Sequence, residues 1–60
     1  MKALNVLVVD DAAFIRDLIK KAMRDNYPSF KIHEAIDGRK AQSILKSNPI
    51  DLVLCDWEMP

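Results

Sequence analysis

Three aspartates directly follow apolar segments of the chain, and they are the side chains best placed to do chemistry. Asp10 and Asp11 come immediately after segment 4–9, and Asp56 comes immediately after segment 52–55. Such runs of aliphatic and β-branched residues are typical of strands buried on both faces of a parallel sheet. Ligands of parallel α/β sheets bind in the crevice outside the carboxyl ends of the strands. If the two segments are neighbouring strands, all three carboxylates converge on that crevice, where packing does not require them.

Carboxylates that are brought together in this way need a counter-charge. At an effective dielectric constant of about 20, two unit charges about 4 Å apart repel each other by roughly 4 kcal/mol. Without a cation, one of the carboxyl groups therefore tends to retain its proton. A divalent cation bound between the carboxylates removes this repulsion.

The segment after the first acidic pair has the pattern of an amphipathic helix. Apolar residues recur with helical spacing and basic residues lie on the opposite side, which predicts one buried face and one solvated face. The predicted buried residues are Phe14, Ile15, Leu18, Ile19, Ala22 and Met23, and the basic residues are Arg16, Lys20, Lys21 and Arg24. Pro28 ends this helix, because proline cannot continue it and restricts the preceding residue.

A second strand and a second helix follow before the last apolar segment. Segment 31–36 alternates in part, which suits an edge strand with one solvated face. Asp37 is expected to cap the second helix, whose apolar stripe is Ala41, Ile44 and Leu45. The order strand, helix, strand, helix, strand predicts an α/β fold with a parallel sheet and right-handed crossovers.

Composition narrows the class of protein further. The 60 residues allow one small domain, and nine acidic and nine basic residues give no net charge. A neutral chain offers no electrostatic case for binding nucleic acid or an anionic membrane surface. The first apolar segment is too short for a signal peptide or a membrane span. The single Cys55 cannot form an internal disulfide and fits a reducing compartment, so we expect a cytoplasmic protein.

Three motifs of the chain stand together in a recognisable order: the strand end Val8-Val9-Asp10-Asp11, the helix start Phe14-Ile15-Arg16 and the segment Asp56-Trp57-Glu58-Met59-Pro60. On these motifs the chain resembles the N-terminal half of a response-regulator receiver domain, of the two-component and chemotaxis type. The resemblance covers all 60 residues in order. The resemblance implies a β-α-β-α-β half of a flavodoxin-like, doubly wound parallel sheet with strand order 2-1-3.

The resemblance also implies a site and a partner. Asp56 would be the phosphoacceptor, and Asp10, Asp11, Asp56 and the backbone carbonyl of Glu58 would hold Mg²⁺. Magnesium prefers oxygen ligands, usually takes one or two carboxylates and leaves room for a phosphate. A sensor histidine kinase would supply the phosphoryl group, and the acyl phosphate would add charge that biases a two-state surface. The domain would be a signalling module, not an enzyme.

Full receiver domains have two further strands, with a Ser or Thr, a Lys and a switch aromatic that this sequence does not contain. The chain stops at Pro60, just past the third strand. We therefore expect residues 1–60 to be a receiver domain truncated after that strand and deficient in phosphotransfer. The third strand would then be an exposed apolar edge, which invites a two-fold homodimer that completes the sheet. A self-associating half-domain scaffold is thus the alternative function.

Several features also allow simpler interpretations. Asp10 and Asp11 could be a helix N-cap and a first-turn acid, which accounts for one acid better than for two. Alternation along the strand points Cys55 away from the acids and into the core, and His33 is expected at the surface. Trp57 could report on the metal site or merely cover apolar surface.

Two other functional classes fit the sequence poorly. Metal-dependent phosphohydrolases carry an Asp-x-Asp pattern on the first strand, whereas this chain has Asp10-Asp11-Ala12. Dinucleotide binding requires a loop with several glycines, and Gly38 is the single glycine in the sequence.

Overall fold

The computed structural model describes residues 3–55, and these form the predicted alternation of strands and helices. The elements are β1 (Asn5–Val9), α1 (Ala13–Asn26), β2 (Lys31–Ala35), α2 (Gly38–Ser47) and β3 (Leu52–Cys55). Residues 56–60 lie outside the described residues, and with them the predicted roles of Asp56, Trp57 and the Glu58 carbonyl.

The three strands form one parallel sheet in the order β2-β1-β3, as the resemblance implied. The central strand β1 pairs with both neighbours in a register that aligns their carboxyl ends. Val9 is the partner of Ala35 on one side and of Cys55 on the other. The sheet therefore presents all three strand ends at one edge.

Burial is concentrated on β1, because this strand has a neighbour on each side and a helix near each face. Val6, Leu7 and Val8 have no exposed surface. Side chains of a strand alternate between its two faces, and Leu7 and Val9 form a cluster with Ala35 and Ala41. Ile44 and Ile50 pack against this cluster. Two of the three residues in the predicted stripe of α2 thus meet the core, whereas Leu45 remains exposed.

The start of α2 has the predicted cap. The carboxylate of Asp37 accepts a hydrogen bond of 2.8 Å from the backbone N–H of Lys40, and Asp37 itself has extended backbone geometry. This bond satisfies one of the N–H groups that the first turn of a helix leaves without a partner.

The prediction for the faces of α1 is wrong in part. Phe14 and Leu18 were expected in the core, but they are 70% and 52% exposed. Arg16 and Lys20 were expected in solvent, but both side chains lie largely covered against the sheet and bind Glu34 of β2. The physical reason is that α1 packs over β1 and β2, where Glu34 attracts the basic side chains.

The prediction that Cys55 lies in the core is also wrong, since this residue is exposed. Leu52 and Val53 of the same strand are exposed as well. Within residues 3–55 neither helix packs closely against β3, which leaves this strand uncovered. The prediction of β3 as an exposed edge is therefore confirmed for the described part of the chain. His33 is half-buried, and its Nε2 lies 3.4 Å from Oδ1 of Asn5.

Candidate functional site

Asp10 is the charged residue that the fold positions most firmly at the sheet edge. It follows β1 directly and is only 6% exposed. Its N–H donates to the carbonyl of Ala35 over 3.0 Å, which extends the β1–β2 pairing by one residue. Its Oδ1 accepts the N–H of Ala12 over 2.8 Å, and its carbonyl accepts a hydrogen bond of 2.7 Å from Nη1 of Arg16. Asp10 is thus held through its backbone and its side chain.

Asp11 follows Asp10 and is exposed at the start of the short connection to α1. The N-cap of α1 is Ala12, which makes no side-chain capping bond. The capping interpretation of the acidic pair is therefore wrong in its simple form, because neither aspartate occupies the cap position. Both acids lie just before the amino end of α1, where the helix dipole favours negative charge.

A groove of about 390 Å³ opens beside Asp10. Its lining comprises Val9, Asp10, Ile15, Ile19, Leu54 and Cys55. The groove lies between α1 and the carboxyl ends of β1 and β3, so the predicted crevice at the carboxyl ends of the strands is present. Asp10 is the one charged side chain among these lining residues, and the apolar surroundings strengthen electrostatic interactions with it.

The acids at this edge have the chemistry that a hard cation requires. Asp10 and Asp11 supply carboxylate oxygens, which are preferred ligands of Mg²⁺. One oxygen of Asp10 already accepts the Ala12 N–H, but a carboxylate has about four lone-pair sites in all. The donor set therefore fits the ion. Within residues 3–55, no three potential ligand side chains lie together, so a complete site would need oxygens from elsewhere.

Comparison with known families decides the class of this domain. The family model of the response regulator receiver domain matches residues 6–60. The chain belongs to this receiver domain family. It is therefore a receiver domain of two-component or chemotaxis signalling, and the strand order β2-β1-β3 agrees with that class.

Related sequences agree with this assignment. The chemotaxis protein CheY-3 of Vibrio cholerae is 37% identical over 59 residues, which is 98% of this chain and 45% of that protein. A protein-glutamate methylesterase/protein-glutamine glutaminase of Rhodospirillum centenum is 41% identical over 57 residues, which is 93% of this chain and 14% of that protein. The receiver chain thus spans less than half the length of either relative.

A solved structure has the same fold. The crystal structure of the P1 domain of CheA3 in complex with CheY6 from R. sphaeroides contains a chain that matches with a TM-score of 0.87 and 39% identity. The match covers 100% of the receiver chain and 47% of the chain in that crystal. This similarity supports the flavodoxin-like arrangement of the three strands and two helices.

The sequence-based prediction missed an ionic network beside the acidic pair. Glu34 of β2 accepts a hydrogen bond of 2.8 Å from Nε of Arg16 and one of 2.6 Å from Nζ of Lys20. Nζ of Lys20 also lies 3.5 Å from Oδ1 of Asp17. The Lys20 ammonium and then the Arg16 guanidinium lower the pKa of Glu34, and the Glu34 carboxylate raises the pKa of Lys20.

A signal for this network exists in the sequence. Arg16 and Lys20 are four residues apart and so lie on one face of the helix. Glu34 lies in the partly alternating segment 31–36 and has the same parity as Ile32, so both point to one face of β2. The alternation in segment 31–36 does not show which of the two faces of β2 is covered by α1.

Among the described residues, neither helix is long and apolar enough to cross a membrane.

Proposed function

We propose that the chain is the phosphoacceptor part of a two-component signalling protein, with Asp56 as the residue that accepts the phosphoryl group. The observation that carries this proposal is the pairing of β1 with β3. Val9 and Cys55 are register partners, and Asp10 and Asp56 are the residues that come next in the sequence. Membership of the receiver domain family supports the same assignment.

The proposed reaction is a transfer from a phosphohistidine to a carboxylate. An oxygen of Asp56 attacks the phosphorus, a P–O bond forms as the P–N bond to the donor imidazole breaks, and the imidazole takes up a proton. Carboxylate nucleophiles form acyl phosphates in this way. The proposed donor is a sensor histidine kinase, and the crystallised pair of a CheA3 P1 domain and CheY6 supports that class of partner. The chain would serve as substrate of the kinase and would not be an enzyme.

The proposed metal ligands are Asp10, Asp11, Asp56 and the backbone carbonyl of Glu58. Bound Mg²⁺ would supply the positive charge that offsets both the acids and the phosphoryl group. Asp10 suits the role of a ligand because its hydrogen bonds leave little freedom for its backbone or its carboxylate. Asp11 is exposed beside it and can reach an ion from the solvent side.

The proposed cellular location and the proposed classes of partner follow from the composition of the chain. We infer a cytoplasmic location, because the single cysteine of the sequence, Cys55, cannot form an internal disulfide and fits a reducing compartment. Zero net charge supports partners other than nucleic acid or membrane for this segment.

A second candidate function, self-association, is favoured by the state of β3. Leu52 and Val53 are 42% and 43% exposed on a strand with a neighbour on only one side in the described sheet. Exposed apolar edge strands tend to pair with another chain. A two-fold homodimer through β3 would continue the sheet and cover these side chains. This candidate is compatible with the first.

The test of the first proposal is phosphorylation by a small phosphodonor such as acetyl phosphate. We expect the protein that carries this chain to form an acid-stable, base-labile phosphate, and Asp56→Asn to abolish it. Asp51→Asn is the matched control, because Asp51 comes directly before β3, at the opposite end from Asp56, and its carboxylate accepts the N–H of Asn5 there. An unchanged phosphate level in Asp56→Asn would overturn the assignment.

A further inference from the structure

We propose that Arg16 is a positioning residue that sets the orientation of the peptide between Asp10 and Asp11, with Glu34 holding its guanidinium in place. The expected effect of Arg16 on Mg²⁺ binding rests on the proposed function. The expected effect of Arg16 on the Asp10–Asp11 peptide does not, because it follows from contacts within the described residues.

Arg16 reaches the acidic segment from two directions. Its backbone N–H donates to the carbonyl of Ala12 over 3.1 Å, as the first turn of α1 closes. Its Nη1 donates to the carbonyl of Asp10 over 2.7 Å. Arg16 therefore binds the chain on both sides of Asp11, at the carbonyl of Asp10 and at the carbonyl of Ala12. These two bonds hold the connection between β1 and α1 in one conformation.

The Asp10 carbonyl is a significant point of attachment. This carbonyl belongs to the peptide that joins Asp10 to Asp11. A hydrogen bond to it therefore fixes the direction in which the chain leaves β1, and with it the position of Asp11. Asp10 is anchored on its other side by the bond from its N–H to Ala35. Asp11 is exposed, and so its placement depends on the peptide that precedes it.

Glu34 explains why the guanidinium stays at this position. Its Oε1 accepts from Nε of Arg16 over 2.8 Å, while Nη1 remains directed at Asp10. The Arg16 side chain is only 12% exposed, so the guanidinium is largely covered, whereas its charge-assisted partner Glu34 is 39% exposed. The rigid fork of arginine can serve two acceptors at once, which the point charge of lysine does less well.

Lys20 provides a matched control within the same network. Its Nζ binds the other oxygen of Glu34 over 2.6 Å, and it lies one turn further along α1, away from Asp10. Removal of either cation weakens the hold on Glu34. Only removal of Arg16 also takes a donor from the Asp10 carbonyl.

The experiment compares Arg16→Met with Lys20→Met in the metal-free chain by amide hydrogen exchange. The Ala12 N–H, which binds the Asp10 carboxylate, reports on the acidic segment, and the Leu7 amide reports on global opening. We expect Ala12 to exchange about tenfold faster in Arg16→Met, relative to Leu7, and to change less than about twofold in Lys20→Met. Equal exchange of Ala12 in wild type and Arg16→Met would overturn the proposal, as would equal acceleration in both variants.

A second readout connects the geometry to the proposed metal site. Trp57 is the single tryptophan of the chain, and its fluorescence can follow a magnesium titration. We expect Arg16→Met to weaken Mg²⁺ binding by about tenfold, Lys20→Met to leave it within about twofold, and Arg16→Lys to lie between them. If Arg16→Met does not fold, Arg16→Lys decides the exchange comparison. A wild-type chain without any Mg²⁺ response would contradict the metal assignment, while Ala12 exchange would still decide the role of Arg16.

Discussion

Val9 of β1 and Cys55 of β3 are register partners at the ends of two adjacent parallel strands. Asp10 follows the first of these residues and is buried and hydrogen-bonded through its carboxylate, its carbonyl and its N–H. The pairing therefore brings one fixed acid to the same edge at which the chain leaves β3. We therefore expect the receiver chain to bind a cation between the carboxyl ends of β1 and β3.

Asp10→Asn tests that expectation. The asparagine side-chain oxygen can still accept the Ala12 N–H, so we expect the fold to persist. The loss of one negative ligand should weaken Mg²⁺ binding by about tenfold or more, a free-energy change of at least about 1.4 kcal/mol. Titration followed by Trp57 fluorescence measures the change. Asp25→Asn is the control, because Asp25 is an exposed aspartate near the far end of α1. Equal weakening in both variants would indicate a general charge effect and not a ligand.

Glu34 should make stability sensitive to acid. Lys20 and Arg16 lower its pKa below the ordinary value of 4.5, so its ion pairs stabilise the fold above that pH. This contribution is lost as the pH falls below 4.5 toward the lowered pKa in the folded state. The raised pKa of Lys20 means that its own contribution is intact below 10.5 and is lost above that value.

Urea unfolding at neutral pH and at pH values below 4.5 checks this prediction. Wild type should lose more stability on acidification than Glu34→Gln, because glutamine does not titrate. Glu34→Gln should also be the less stable protein at neutral pH, since the Arg16 and Lys20 side chains lose a charged acceptor. Parallel pH profiles for the two proteins would show that the network contributes nothing measurable.

The sequence pattern predicts the strands and helices well, for identifiable reasons, whereas the strand order came from the resemblance to the receiver family. Segments 4–9 and 52–55 are continuous apolar runs, and Asp37 and Pro28 mark helix ends by rules that depend on local chemistry alone. The faces of α1 could not be predicted in the same way. Periodicity shows which residues are apolar, but Phe14 is exposed because α1 lies over β1 and β2, and Arg16 is covered because Glu34 faces it.

Cys55 illustrates the same limit at the sheet edge. Alternation placed its side chain on the face opposite the acids, and burial was inferred from the assumption that both faces of β3 are covered. Within the described residues α2 packs on β2 and β1 and leaves β3 bare. The local sequence thus determines that segment 52–55 forms a strand, whereas the neighbouring helices determine whether its side chains are buried.

Asp37→Ala should weaken α2. The substitution removes the bond from the Lys40 N–H to the Asp37 carboxylate, and loss of such a cap costs about 1 kcal/mol. Asp37→Ser keeps an oxygen at the cap position and should retain most of the stability. Urea unfolding followed by circular dichroism measures both variants. A serine variant as unstable as the alanine variant would point to a role of the Asp37 charge other than capping.

Val53→Lys tests self-association through β3. Val53 is 43% exposed on the edge strand, and a lysine there should oppose pairing with a second chain by placing like charges close to each other. We expect wild type to sediment as a dimer at micromolar concentration and Val53→Lys to sediment as a monomer. Leu45→Lys is the control, because Leu45 is a similarly exposed apolar residue on α2, 46% accessible, and is not part of the sheet edge. A folded wild-type monomer would rule out edge pairing, and a dimer lost equally in both variants would assign association to exposed apolar surface in general.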